Sequence, residues 1–206
     1  MPNPWFIDDA GILIRRFRTG EFENNSYVVA SKATGDAVLI DASFEPEVHL
    51  EQCSDVVVQA VISTHGHFDH VMAATEVTAA LDVPFRLHPL DQRADICDLP
   101  VDEDLVDGER IVVGEIALRV LHTPGHTPGS VTFRVGAHLI TGDALFPGGP
   151  GATRWDYSSF DDAIDSIRDR LFVLDDEVGV YPGHGDTMTT VGAERPSLQE
   201  WIDRRW

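Results

Sequence analysis

Positive charge, sulfur and long apolar runs are all scarce in this chain. Lys and Arg number 15 against 35 Asp and Glu in 206 residues, a formal net charge of −20, and Lys32 is the lone lysine. A field of that sign repels nucleic acid and anionic membranes, and no basic stripe offsets it, so neither is expected as a partner. The two cysteines, Cys53 and Cys97, sit in no CxxC pattern; they read as buried free thiols. No stretch reaches the ~18 consecutive apolar residues that a membrane-spanning helix needs. The opening MPNPWFIDDAGILIRRF lacks the basic-then-apolar order of a secretory leader. A cytoplasmic protein is therefore the expectation. No repeat, low-complexity tract or linker rich in Gly, Pro or Ser divides the chain. Residues 1–206 are read as one domain, long enough for a full hydrophobic core.

The hydrophobic pattern alternates short strands with helices. SYVVA (26–30) and AVLID (37–41) flank the turn-like KATGD and predict a hairpin. The continuous β-branched run over 56–64 predicts a strand buried on both faces. VMAATEVTAAL (71–81) predicts a helix ahead of Pro84, with a strand over 84–88. Further strands are expected at 111–113, 116–121, 131–135, 138–141 and 178–181. The spacing of Phe160, Ala163, Ile164, Ile167 and Leu171 predicts a helix over 160–171, and a short one is expected at 197–202. Two strand-rich halves, each carrying helices, suggest two sheets packed face to face with helices outside.

Against this ordinary pattern stands one crowded stretch, STHGHFDH (63–70). His65 and His67 are two apart at the end of the buried strand, so in extended backbone both side chains point the same way and can meet at one ion. Asp69 and His70 fall where the chain turns into a helix and can aim at a second. Imidazole with carboxylate is the donor set of borderline divalent metals such as zinc. A holder for two ions needs more ligands, and three candidates each sit in a glycine-containing turn after a strand: His126 in LHTPGHTPGS, Asp143 in HLITGDALF and His184 in VYPGHGD. His122 precedes its turn and reads as a strand-end residue beside the site. His49, His88 and His138 lack metal-site spacing and read as structural or exposed.

THGHFDH, then TPGHTPGS, TGDALF and YPGHG in that order, resembles the metallo-β-lactamase superfamily, and within it the glyoxalase II-related hydrolases. The resemblance covers about Asn25 to Gly185. It implies an α/β fold, an αβ/βα sandwich of two mixed sheets with helices outside and a metal site along one edge. Carried over by position, it implies that His65, His67 and His126 bind one metal, that Asp69, His70 and His184 bind a second, and that Asp143 bridges them. The implied cofactors are two divalent ions, zinc first, with iron or manganese as the other candidates.

The implied activity is hydrolysis of a small-molecule thioester by a metal-bridging hydroxide, as in hydroxyacylglutathione hydrolases. Asp69 and Asp143 would serve as catalytic residues as well as ligands. His67 stands where the flavodiiron relatives carry glutamate, and the acidic Asp143 disfavours the β-lactam hydrolases. Full-length glyoxalase II adds a C-terminal helical domain that grips glutathione. Residues 185–206 are all that follow His184 here, and PGHG replaces the usual acidic-aromatic pair, so the thiol carrier is not specified. The alternatives are a mononuclear iron oxidoreductase of the persulfide dioxygenase type, using His65, His126 and Asp143, and a lactonase with the same dinuclear site. The loop FPGGPGATRWDY (146–157) offers Arg154, Trp155 and Tyr157 as pocket residues, with an ordinary salt-bridged surface loop as the competing reading. Oligomeric state is not readable.

Overall fold

The computed structural model describes residues 1–205. A seven-stranded sheet runs in chain order through β1 (Ile7–Asp9), β2 (Ile12–Thr19), β3 (Asn24–Ser31), β4 (Asp36–Ile40), β5 (Val57–Ile62), β6 (Phe85–Leu87) and β7 (Glu103–Asp104). Its first four strands are antiparallel, and the pairings from β4 onward are parallel. The second sheet is built from β8 (Arg110–Val113), β9 (Ile116–His122), β10 (Val131–Val135) and β11 (His138–Gly142). A two-stranded ribbon, β12 (Leu145–Phe146) and β13 (Gly149–Pro150), stands apart. The second sheet is completed by β14 (Gly179–Pro182), parallel to β11, and β15 (Thr189–Thr190). The helices are α1 (Pro46–Gln52), α2 (Phe68–Val71), α3 (Ala74–Leu81), α4 (Phe160–Ser166), α5 (Val191–Glu194) and α6 (Leu198–Arg204).

β4 and the end of β5 read as unbroken apolar runs because both faces are covered there; the start of β5, expected to be buried as well, leaves Val57 exposed. Tyr27, Val29, Val38, Ile40 and Ile62 point to the other sheet and meet Leu118, Val120, Phe133 and Ile140 there. Their neighbours Val28, Ala30, Leu39 and Val61 point outward and pack on Val71, Ala74 and Val77 of the first helix layer. On the far side Leu139 and Val180 lie under Ile164, Leu171 and Trp201. This is the expected sandwich of two mixed sheets with helices outside.

Two helices differ from their predicted form. The element expected at 71–81 begins at Phe68 and breaks at Ala73, whose amide bonds the Ala42 and Ser43 carbonyls (3.0 and 2.7 Å) instead of continuing the helix. That break lets α2 turn His70 inward while α3 lies on the sheet. The helix expected at 160–171 is α-helical to Ser166 and finishes in a π turn, Ile167–Leu171. The strand expected to run to Thr64 ends at Ile62, because Asp41 takes the Thr64 amide (2.7 Å). Cys53 and Cys97 are free and buried, as expected.

Candidate metal centre

Parallel pairing places the ends that matter side by side. β4 and β5 finish together, so Asp41 lies next to the 63–67 turn; β11 and β14 finish together, so Asp143 lies next to His184. Carboxyl ends of adjacent parallel strands are where open α/β sheets bind ligands. Bonds between the sheets lock this edge. The Val131 amide donates to Thr64 (2.8 Å) and the Asn25 amide to Gly183 (2.7 Å), and the Tyr27 hydroxyl donates to the Pro182 carbonyl (2.7 Å).

All seven sequence-predicted residues converge here. His65 Nε2 and His126 Nε2 lie 3.1 and 2.9 Å from His67 Nδ1. His70 Nε2 lies 3.2 Å from His184 Nε2, and Asp69 Oδ2 is 3.5 Å from the latter. Asp143 reaches both groups, with Oδ1 3.5 Å from His70 Nε2 and Oδ2 at 3.5 and 3.4 Å from the Nε2 atoms of His126 and His184. The donor atoms of His65, His67 and His126 lie within 4.8 Å of one another, and so do those of Asp69, His70 and His184, and those of His65, His70 and Asp143. His122 stands outside, its Nε2 on the Pro128 carbonyl (2.8 Å) and its ring stacked on His88. His49 and His138 are buried structural residues, also outside.

Every imidazole is held by its outer nitrogen, which fixes the orientation of the ring. His126 Nδ1 donates to the Ala152 carbonyl (2.7 Å), His184 Nδ1 to the Phe22 carbonyl (2.9 Å) and His70 Nδ1 to the Asp41 carboxylate (3.0 Å). His65 Nδ1 meets Thr64 Oγ1 (3.1 Å), and His67 Nε2 meets the Tyr157 hydroxyl (2.8 Å). With their outer nitrogens as donors, the neutral rings of His65, His67 and His126 turn lone pairs toward one another at hydrogen-bond distance. Asp143 Oδ1 is buried without a hydrogen-bond partner. Lone pairs facing lone pairs beside an orphaned carboxylate oxygen are a donor set that fits divalent cations.

The electrostatics agree. Burial pushes His65 well below the ordinary imidazole range, and the neighbouring His70 adds to it. Burial and His126 bring His67 down to about 4, and burial lowers His126. In the other group burial opposes protonation, but the Asp143 and Asp41 carboxylates prevail and push His70 up to about 9. His184 is raised likewise by Asp143, against burial. Burial would raise Asp143, yet His70 and His184 hold it far below the usual carboxylate range. Burial thus favours neutral rings at His65, His67 and His126, while the Asp41 and Asp143 carboxylates favour positive charge beside them at His70 and His184.

Three supporting residues escaped the sequence reading. Asp41, at positive φ after β4, accepts from Ser63 Oγ, the Thr64 amide and Thr64 Oγ1 (2.9, 2.7 and 2.8 Å) besides His70. Its signal was an acidic residue closing a buried strand, LIDAS. Asp91 is fully buried and ties the His65–His67 turn to the His126 loop through Gly66, Thr127 and Gly129. Asn24 Nδ2 donates to Asp69 Oδ2 (3.0 Å).

The cluster floors a cavity of about 760 Å³ lined on one side by Phe22, Phe68 and Phe146 and on another by Arg154, Trp155 and Tyr157. The three loop residues expected at the pocket are therefore there. Among the described residues Arg154 has no salt bridge of the kind the competing reading expected; its guanidinium lies 4.8 Å from the Trp155 ring centre.

Residues 19–184 match the family described as the metallo-beta-lactamase superfamily. The chain belongs to it. Members of this superfamily bind dinuclear metal and are mostly metal-dependent hydrolases. A curated relative, hydroxyacylglutathione hydrolase GloC of Haemophilus influenzae, is 32% identical over 79% of this chain and 85% of its own. The crystal structure of ETHE1 from Myxococcus xanthus superposes with a TM-score of 0.82 at 29% identity, covering 92% of this chain and 88% of that one. The crystal structure of TTHA1623 in a di-iron-bound form gives 0.74 at 35% identity, covering 87% and 96%.

Proposed function

We propose that this superfamily member is a thioester hydrolase of the glyoxalase II-like kind, working with two divalent ions. The observation that carries the reading is the completeness of the cluster: both triads are formed and Asp143 faces both. His65, His67 and His126 would hold one ion, Asp69, His70 and His184 the other, and Asp143 both. Bound there, such ions supply Lewis acidity and a water acidified toward neutrality.

The chain's own residues do the rest. Asp69, with Oδ2 fixed by Asn24, keeps Oδ1 as the atom to take a proton from water. Tyr157 and the Ala152 carbonyl hold the His67 and His126 rings in place. The aromatic walls flank the cavity floor. A thiolate, of pKa about 8.5, leaves without a proton donor, and that suits a site whose acids are all committed as ligands or supports. The −20 charge favours a small-molecule substrate over nucleic acid or a membrane surface. Among the described residues no helix is long and apolar enough to cross a membrane, and a cytoplasmic setting is proposed with the rest.

Purified protein loaded with zinc, iron or manganese tests this against S-D-lactoylglutathione and simple acyl thioesters. Hydrolysis well above a His65→Ala control is expected, and none for any thioester sinks the reading. The likeness to ETHE1 supports an iron-dependent persulfide dioxygenase as the second reading, with His65, His126 and Asp143 on a single iron. Metal analysis separates the two: two ions per chain favour the hydrolase, and one iron with oxygen uptake on a persulfide favours the oxygenase. A lactonase would share the site and part from the thioesterase by its substrate.

A further inference from the structure

Large exposed side chains are scattered singly over most of this surface, as at Val57, Val106 and Val173, and single ones need no explanation. Phe22 and Phe68 are different. They are half exposed (50% and 54%), come from distant segments, and form a triangle with Phe44: the three ring centroids are 6.1 to 6.3 Å apart, and two of the pairs meet edge to face. Phe22 and Phe68 line the cavity, and Phe146 extends the wall by stacking on His184 at 6.3 Å. On the other histidine group Trp155 packs on the His67 and His126 rings (4.5 and 5.2 Å) and stacks on Tyr157. An aromatic surface left open to water beside the cluster is apolar area waiting for a ligand.

Charge limits that ligand from the other direction. Arg154 is the one Lys or Arg in the cavity lining. Arginines such as Arg15, Arg18, Arg86 and Arg93 are paired with carboxylates, whereas Arg154 has no carboxylate within ion-pair distance among the described residues and lies only against Trp155. A free guanidinium on an aromatic face is suited to a single carboxylate. The other charged group on the wall, Asp95, is already held by Arg93. One arginine in a chain of net charge −20 offers little to a carrier with several phosphates, or to one with two separate carboxylates.

We infer that the cavity selects a substrate with one apolar arm, laid on the Phe22–Phe68–Phe146 wall, and a single carboxylate that reaches Arg154. This rests on the thioesterase reading for the bond that is cleaved, but not for the shape and charge of the pocket.

Two measurements test it. The first compares phenylacetyl and acetyl thioesters of thioglycolate and of the neutral carrier N-acetylcysteamine with S-D-lactoylglutathione. The phenylacetyl thioglycolate should exceed lactoylglutathione in kcat/KM by about tenfold or more, the effect of burying one aromatic group. Phe22→Ala and Phe68→Ala should each cut the phenylacetyl-to-acetyl ratio about tenfold, and Arg154→Gln should cut the thioglycolate-to-N-acetylcysteamine ratio. Equal or faster turnover of lactoylglutathione, or equal loss on every substrate, overturns the inference. The second is independent of turnover: 4-phenylbutanoate should quench Trp155 fluorescence saturably, a signal lost in Trp155→Phe and weakened by Phe68→Ala and by Arg154→Gln, with acetate much weaker. Binding of this acid without cleavage of any thioester refutes the thioesterase reading and upholds the pocket. Cleavage without preference and without binding refutes the pocket alone.

Discussion

The Asp91 carboxylate takes the Gly129 amide on one oxygen (2.6 Å) and the Gly66 amide and Thr127 hydroxyl on the other (2.8 and 2.7 Å). Gly66 sits between two candidate ligands and Thr127 beside a third, so this one side chain sets the spacing of a whole triad. An amide there leaves an NH2 facing at least one buried N–H whichever way it turns. Such an orphaned donor costs about 1–3 kcal/mol. Asp91→Asn is therefore expected to lower the unfolding free energy by about 2 kcal/mol and to weaken metal retention in a competitor titration, although it touches no ion. A residue-scale consequence away from the site concerns Cys53. Burial raises its thiol to about 12, with the nearby Arg15 opposing the shift. The folded state thus favours the neutral thiol, a contribution to stability that is complete below the ordinary thiol range and lost as pH rises through about 12. At pH 8, iodoacetamide should label Cys53 in denaturant and not in the native protein, as mass spectrometry can read.

At the scale of elements, the site depends on how strands end. Gly183, right after β14, leaves room that no other residue could leave: a Cβ there would stand 2.3 Å from Asp143 Oδ1 and 2.7 Å from His70 Cε1. Gly183→Ala should displace the Asp143 carboxylate and reduce bound metal at least tenfold, the outer-shell range for a disturbed ligand, with the far-ultraviolet circular dichroism unchanged. Wild-type metal content in this variant would show that Asp143 is not a ligand. The break between α2 and α3 has a similar function. By giving the Ala73 amide to Ala42 and Ser43, the chain frees α2 to carry Asp69 and His70 at the angle the second triad needs. The periodicity of 71–81 does not reveal it, because the bond that breaks the helix comes from a loop thirty residues upstream.

For the whole molecule, the cluster concentrates two carboxylates and five imidazoles in a chain that already carries −20. Bound divalent ions would tie both sheets together through Asp69, Asp143 and His184. A ligand that binds the folded state alone stabilises it by about 4 kcal/mol at a thousand times its Kd. For a domain of this size that is about 10 °C in Tm. Removing metal with a chelator should lower Tm by that order, and adding zinc should restore it. An unchanged Tm would mean that the cluster holds no ion contributing to stability.

The candidate ligands were legible in the sequence because His65, His67, His126, Asp143 and His184 sit in glycine-containing turns after strands, and Asp69 and His70 add to an unusual density of imidazole and carboxylate at the start of α2. Periodicity likewise reveals the strands, since burial on both faces leaves unbroken apolar runs such as AVLI at 37–40. Neither kind of signal reaches Asp41, Asp91, Asn24 or Phe22. Each is an ordinary residue in its own neighbourhood and acquires its role only through partners far along the chain. Local pattern determines which side chains are available and which way a strand faces. Which of them meet depends on parallel pairing and on the hydrogen bonds between sheets, and only the tertiary structure decides that.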